Sequence, residues 1–245
     1  MKEADDIIYT SHRPWPLPIG NWSYFQEWNN ALFLHWKISP KELTEFIPAG
    51  LILDTFNGDA WISVVAFTMQ NIRPNGLLSV SGISNFHEIN IRTYVKRDNK
   101  QGVYFLKIEA GKSISVFIAR VLSGLPYVKS TINRSLNKGT HSYISADKNK
   151  SPHFNTSFKI VEEIESKTDL DKWLIERYCL YLSSYGKLYR YEIHHREWPL
   201  KKVVIKDLKV KYKIGKVALG KEPTLSHFST GVKVISWKRK YLDRI

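Results

Sequence analysis

Seven stretches of this chain, residues 60–69, 85–95, 103–110, 153–161, 187–195, 203–213 and 225–237, alternate apolar with polar side chains. Successive side chains of a strand point to opposite faces, so each stretch is written to bury one face and leave the other polar. Half-buried strands in such number have to stack or close on one another, which makes the expected class mainly β, of the α+β kind. A length of 245 residues suffices for a core without disulfide or metal staples, and 1–245 is expected to be a single domain. The 8 Trp, 13 Tyr and 11 Phe suit strands, where large rings pack well.

A few helices are expected around these strands. Residues 39–46 carry Ser39 as N-cap, Pro40 at the first helical position and Glu42 to close a capping box. Residues 113–122 place Ile114, Phe117, Ile118 and Val121 on one stripe and stop at Gly124. A third helix begins at Thr168, with Asp169 and Asp171 favouring its dipole, and buries Leu170, Trp173, Leu174, Tyr178 and Tyr181, so that Cys179 falls in mid-helix as a buried, inert thiol. Pro14, Pro16 and Pro18 fix φ and remove donors, so residues 1–24 read as an extended N-terminal arm. Stretches 85–95 and 103–110 are joined by the polar turn 96–102 as an antiparallel hairpin.

The formal net charge of +14 would suit an anionic partner. In its densest stretch, 201–213, Lys alternates with apolar residues, as on a lysine-guarded edge strand, and no nucleic-acid-binding signature accompanies it. Nucleic acid is therefore the less favoured partner. No run approaches the ~18 apolar residues of a membrane-spanning helix, the start is acidic, and the single Cys179 has no partner for an internal bridge. A reducing, cytoplasmic setting without a membrane partner is expected, with homo-oligomerisation left open. The 8 His lack metal-ligand spacing and no cofactor fingerprint is present, so neither metal nor cofactor is expected.

In 85–95 the side chains of Phe86, Glu88, Asn90, Arg92 and Tyr94 share one face. Such a polar row either meets water or lines a polar cavity, and the bracketing aromatic rings favour the cavity. Arg120 lies off the apolar stripe in the last turn of its helix, where a cation also satisfies free carbonyls.

A resemblance covers nearly the whole chain from Arg13 to about Leu200. It is carried by Phe33-Leu34-His35-Trp36, Pro48-Ala49-Gly50-Leu51, Asp54-Thr55-Phe56, Ala60-Trp61-Ile62, Glu88 through Val95, Gly102-Val103-Tyr104-Phe105, Ala119-Arg120, Leu125-Pro126-Tyr127, Glu176-Arg177-Tyr178 and His195 through Leu200. In these residues the chain closely resembles the bacterial YqjF-like family, a domain of unknown function. The order of its motifs also resembles acetoacetate decarboxylase-like proteins, which implies an antiparallel β-barrel or cone enclosing a pocket. In that superfamily a lysine just after a Gly-x-Pro turn forms a Schiff base with a β-keto acid.

The resemblance would put Glu88 in the pocket, but Tyr127 and Val128 follow Pro126, and Lys129 comes one position later. A Schiff-base amine must be largely neutral, which means lowering a lysine near pKa 10.4 by roughly 3 to 4 units, as a neighbouring cation does in acetoacetate decarboxylase. In an extended segment Lys129 shares a face with Tyr127 and would turn inward. The expected catalytic groups are Glu88 and Lys129, and the expected ligand-binding groups Asn90, Arg92, Tyr104, Arg120, Tyr127, His35 and His195. The reading is a pocket for a small carboxylate or carbonyl compound, with decarboxylase-like lyase chemistry lacking the usual lysine. Its rivals are a non-enzymatic ligand sensor and a basic nucleic-acid-binding protein.

Overall fold

The computed structural model describes residues 9–79, 84–111, 125, 127–147, 151–219 and 222–245. The expected helix 113–122, with Arg120, lies outside them. Among the described residues sixteen strands are formed: β1 (Tyr24–Ile38), β2 (Ile52–Leu53), β3 (Ala60–Pro74), β4 (Phe86–Arg97), β5 (Lys100–Ala110), β6 (Tyr127–Lys129), β7 (Thr131–Asn137), β8 (Thr140–Ala146), β9 (Pro152–Glu163), β10 (Cys179–Ser184), β11 (Lys187–His195), β12 (Leu200–Val210), β13 (Lys213–Ile214), β14 (Val217–Ala218), β15 (Leu225–Ser236) and β16 (Lys240–Arg244). Helices lying wholly among the described residues are α1 (Pro40–Leu43), continued by a 3-10 turn over Thr44–Phe46, and α2 (Asp169–Ile175).

The strands β1, β3, β4, β5, β10, β11 and β15 pair in that order, and β15 returns to β1, so the seven close into a ring. An odd ring cannot alternate direction throughout; at least one neighbouring pair must run parallel. That pair is β5–β10, held by only two Cα partners, Val103 with Leu180 and Tyr104 with Tyr181. The barrel is therefore antiparallel except at one short seam.

Strands β12, β9, β8 and β7 continue from β15 as a second layer over the outside of the ring. Two cores result. Inside the ring lie Phe33, Trp61, Val65, Phe67, Phe86 and Trp198, and between the ring and the second layer lie Leu32, Ile62, Ile89, Ile91, Phe154 and Phe158. Strands β1, β3 and β4 are consequently buried on both faces. This explains why β1 carries no alternation: Ala31 through Trp36 are all buried, and a two-sided strand reads as a continuous apolar run.

Several local expectations are corrected. The hairpin β4–β5 closes through Asp98 and Asn99 alone, both with positive φ, because Asp and Asn tolerate the left-handed region that a two-residue turn demands. The third helix ends at Ile175; the following segment, rich in aromatic and aliphatic residues, becomes β10, and Cys179 opens that strand. Tyr185 and Gly186, again with positive φ, turn β10 back into β11. Ser39 makes no side-chain cap, whereas Thr168 and Asp171 form a full capping box at the start of α2.

The arm, described from Tyr9, has no helix or strand before β1 and packs on the outer face of β11. Arg13 donates to the carbonyl of Ile193 at 2.6 Å and to Glu192 at 3.3 Å, and Trp15 Nε1 donates to Glu192 at 3.1 Å. His12 stacks on His194, so the two adjacent histidines of β11 are both buried although they face opposite ways. Most of β12 pairs only with β9, since β15 reaches just Leu200–Lys202. Lys202, Lys206, Lys209 and Lys211 are exposed along it.

The parallel seam leaves no room for a side chain at Gly102, where an added Cβ would sit 2.6 Å from the carbonyl oxygen of Cys179 and 2.8 Å from its Cβ. Backbone cannot yield as a flexible side chain does. Gly102→Ala should destabilise the protein by about 1–3 kcal/mol and lower its melting temperature by several degrees, read by calorimetry; an unchanged melting temperature would show that the seam is loose.

Candidate functional site

The inward face of β4 points into a cavity of about 90 Å³ inside the ring. Glu88, Asn90 and Arg92 line it in a row, together with Tyr127, Arg177, His195 and Trp198 among others. Their exposures are only 3%, 4% and 9%. With Ile89 and Ile91 packed into the core behind, the strand has no watery side, and its polar side chains must find partners within the ring.

Glu88 accepts from Asn90 Nδ2 at 3.1 Å and from the Tyr127 hydroxyl at 3.0 Å. Burial raises its pKa to about 7, and these two hydrogen bonds hold it from going further. Tyr127 is pushed well above its usual value by burial and by the adjacent carboxyl, so it acts as the donor. Four residues of strand, about 13 Å, separate the backbones of Glu88 and Arg92. Arg92 makes no ion pair among the described residues. It reaches the carbonyl of Leu174 in the last turn of α2 at 3.4 Å and lies 5.8 Å from the centre of the Phe33 ring. Its Nε, Asn90 Oδ1 and Arg177 Nη2 are buried without a hydrogen-bond partner among the described residues.

Arg177 and Trp198 complete the wall, although the alternating stretches do not point to them. The signal that could have found them lies in the motifs Glu176-Arg177-Tyr178 and His195 through Leu200. Arg177 donates to Asp54 at 2.7 Å and to the carbonyl of Trp173 at 2.6 Å, which fixes the chain between α2 and β10. His195 donates Nδ1–H to the carbonyl of Arg196 at 2.7 Å, and burial lowers its pKa, so it is neutral near pH 7. Cys179 also lines the cavity, and burial pushes its thiol up to about 12, too high to supply a thiolate.

Three expected site residues stand elsewhere. Lys129 is exposed on β6, opposite Ala110 at the end of β5, and does not line the cavity, so an inward-turned Schiff-base lysine is not formed there. Tyr104 lies in an outer groove with Phe46, Leu106 and Tyr181, because its neighbours Val103 and Phe105 take the inward face. His35 is wholly buried beyond the cavity, bonding Ser63 Oγ at 2.6 Å, which in turn meets the Tyr94 hydroxyl at 2.6 Å. Burial pushes its pKa well below the ordinary range, and it belongs to the packed end of the ring under α2. No group of residues suited to a metal ion is found among the described residues.

An acid whose folded pKa exceeds its unfolded one near 4.5 holds its proton more tightly when folded, so stability contributed by the neutral form is lost as pH rises from about 4.5 to about 7. Glu88→Gln removes this loss. Denaturant unfolding should show the variant gaining roughly 3 kcal/mol on the wild type between about pH 4.5 and pH 8. Parallel curves would mean that Glu88 titrates normally.

Residues 25–233 match the DUF2071 family, described as "Uncharacterized conserved protein". The uncharacterized protein YqjF of Bacillus subtilis is 37% identical over 187 residues, covering 75% of this chain and 77% of that one. Among solved structures, an acetoacetate decarboxylase from Legionella pneumophila superposes with a TM-score of 0.65 at 12% identity, over 95% of this chain and 94% of that one. An acetoacetate decarboxylase-like enzyme from Sphingomonas wittichii gives 0.63 at 13%, over 96% and 99%. The enduracididine biosynthesis enzyme MppR complexed with pyruvate gives 0.63 at 12%, over 95% and 94%. At these identities the structures establish the fold, and with the match along most of its length the chain belongs to the DUF2071 family and has the acetoacetate decarboxylase-like fold.

Proposed function

We propose that the ring cavity binds a compact carboxylate bearing an oxygen function next to the carboxyl group, with Arg92 as the anchor and Glu88 as the group that exchanges a proton with the bound molecule. The observation that carries this reading is a pair of guanidinium groups, Arg92 and Arg177, that line one cavity and keep buried N–H donors without acceptors. Arg177 is already neutralised by Asp54, whereas Arg92 has no carboxylate of its own among the described residues. A planar anion is what such donors bind best.

Size narrows the class. At about 90 Å³ the cavity is smaller than the ~150 Å³ cavity that accommodates benzene, which favours a compact acid. MppR, which shares the fold, was captured with pyruvate, a molecule of that size and charge. No lysine lines the cavity among the described residues, and the chemistry proposed here is proton transfer by Glu88, whose pKa near 7 suits both giving and taking a proton.

Calorimetric titration with pyruvate should show binding that Arg92→Gln weakens about tenfold to a hundredfold, the worth of a charge-assisted hydrogen bond. Affinity should fall as pH rises through about 7, because ionised Glu88 repels the anion while His195 is already neutral. Deuterium uptake into the pyruvate methyl group, lost in Glu88→Gln, would mark an enzyme; binding without uptake would mark a sensor. Absence of Arg92-dependent binding of any small carboxylate would end the reading.

A further inference from the structure

The anchor and the acid leave one polar atom of the row unexplained. Asn90 donates Nδ2 to Glu88 Oε1 at 3.1 Å, which turns its amide so that Oδ1 is left buried with no donor. A buried amide oxygen without a donor costs about 1–3 kcal/mol, and a group from elsewhere that supplies the hydrogen recovers it. The remaining acceptors nearby are already used: both Glu88 oxygens accept, and Gln26 Oε1 takes the Trp28 indole N–H at 3.0 Å.

We infer that the pocket is built for a 2-hydroxy acid, the hydroxyl donating to Asn90 Oδ1 while its carboxylate meets Arg92. This rests on the carboxylate-anchor reading above and names the ligand's second group. A hydroxyl both donates and accepts, so it satisfies Asn90 Oδ1 and at the same time accepts from protonated Glu88. A carbonyl oxygen accepts only, and leaves Asn90 as it stands. A methylene in the same place leaves both without a partner. Sites with buried polar groups positioned for a hydroxyl discriminate against analogues lacking it far more strongly than apolar pockets discriminate by size.

The test is a calorimetric comparison of lactate, both enantiomers, with pyruvate and propionate on the wild-type protein, Asn90→Leu and Arg92→Gln. One lactate enantiomer should bind about tenfold or more tighter than propionate and pyruvate below about pH 7, the worth of one net hydrogen bond. In Asn90→Leu, checked for folding by its melting curve, the lactate-to-pyruvate ratio should collapse to about one, since both ligands can still accept from Glu88. The wild-type ratio alone tests the inference should that variant not fold. Arg92-dependent binding of all three acids with equal affinity would overturn the hydroxyl preference and leave the carboxylate pocket standing. Failure of all three to bind would overturn both.

Discussion

The structure depends on β4 being buried on both faces. Ile89 and Ile91 are drawn into the core beneath the second layer, and strand alternation then obliges Glu88, Asn90 and Arg92 to face the inside of the ring. Without the layer formed by β12, β9, β8 and β7, the same strand could present its polar row to water and fill the ring with isoleucine. The second layer thus sets the polarity of the cavity without touching it. A charged group confined in this way meets a low dielectric, where an unpaired guanidinium or carboxyl is far costlier than at a surface, and that cost is what tunes Glu88 to a pKa near 7.

Closure of the ring imposes the second constraint. Seven strands require a parallel joint, and parallel neighbours cannot be connected by a tight hairpin, so the chain has to travel before β10 can lie beside β5. The joint is short, and Val103, Phe105, Cys179 and Leu180 on its two sides all line the cavity. Gly102 lets the two backbones approach at the only place where they pair. The far end is sealed by α2, whose Trp173 packs 4.6 Å from the Tyr94 ring and whose Asp171 meets His227 at 3.0 Å.

What could be read from the residues follows the same physics. Strands with one polar face announce themselves whether that face meets water or a cavity: the Lys-bearing stretch of β12 and the Glu88 row of β4 both alternate, and both stand on strands. β1, the longest of the ring together with β3, does not alternate and escapes a period-two search, because Ala31 through Trp36 are all buried and His35 is as buried as Leu34. Strands β7 and β8 escape for the opposite reason, being small and polar along much of their length. Tyr178 and Tyr181 sit three apart, which fits a helical stripe as well as it fits a strand flanked by aromatics, and only pairing with β11 decides between them. Within the site, Asn90 and Arg92 follow from alternation alone, whereas Arg177 and Trp198 arrive from sequence-distant connections that strand alternation does not mark.

The position after Pro126 decides what Glu88 can be. A cation beside the acid would hold it ionised. Tyr127 instead contributes a neutral hydroxyl at 3.0 Å, while Lys129 stands exposed. A neutral donor stabilises the carboxylate less than a cation does, so burial prevails and the group titrates in the physiological range. With a phenol and no cation as its neighbour, Glu88 is a group that can carry a proton near neutral pH, and Arg92 has no counter-ion of its own among the described residues.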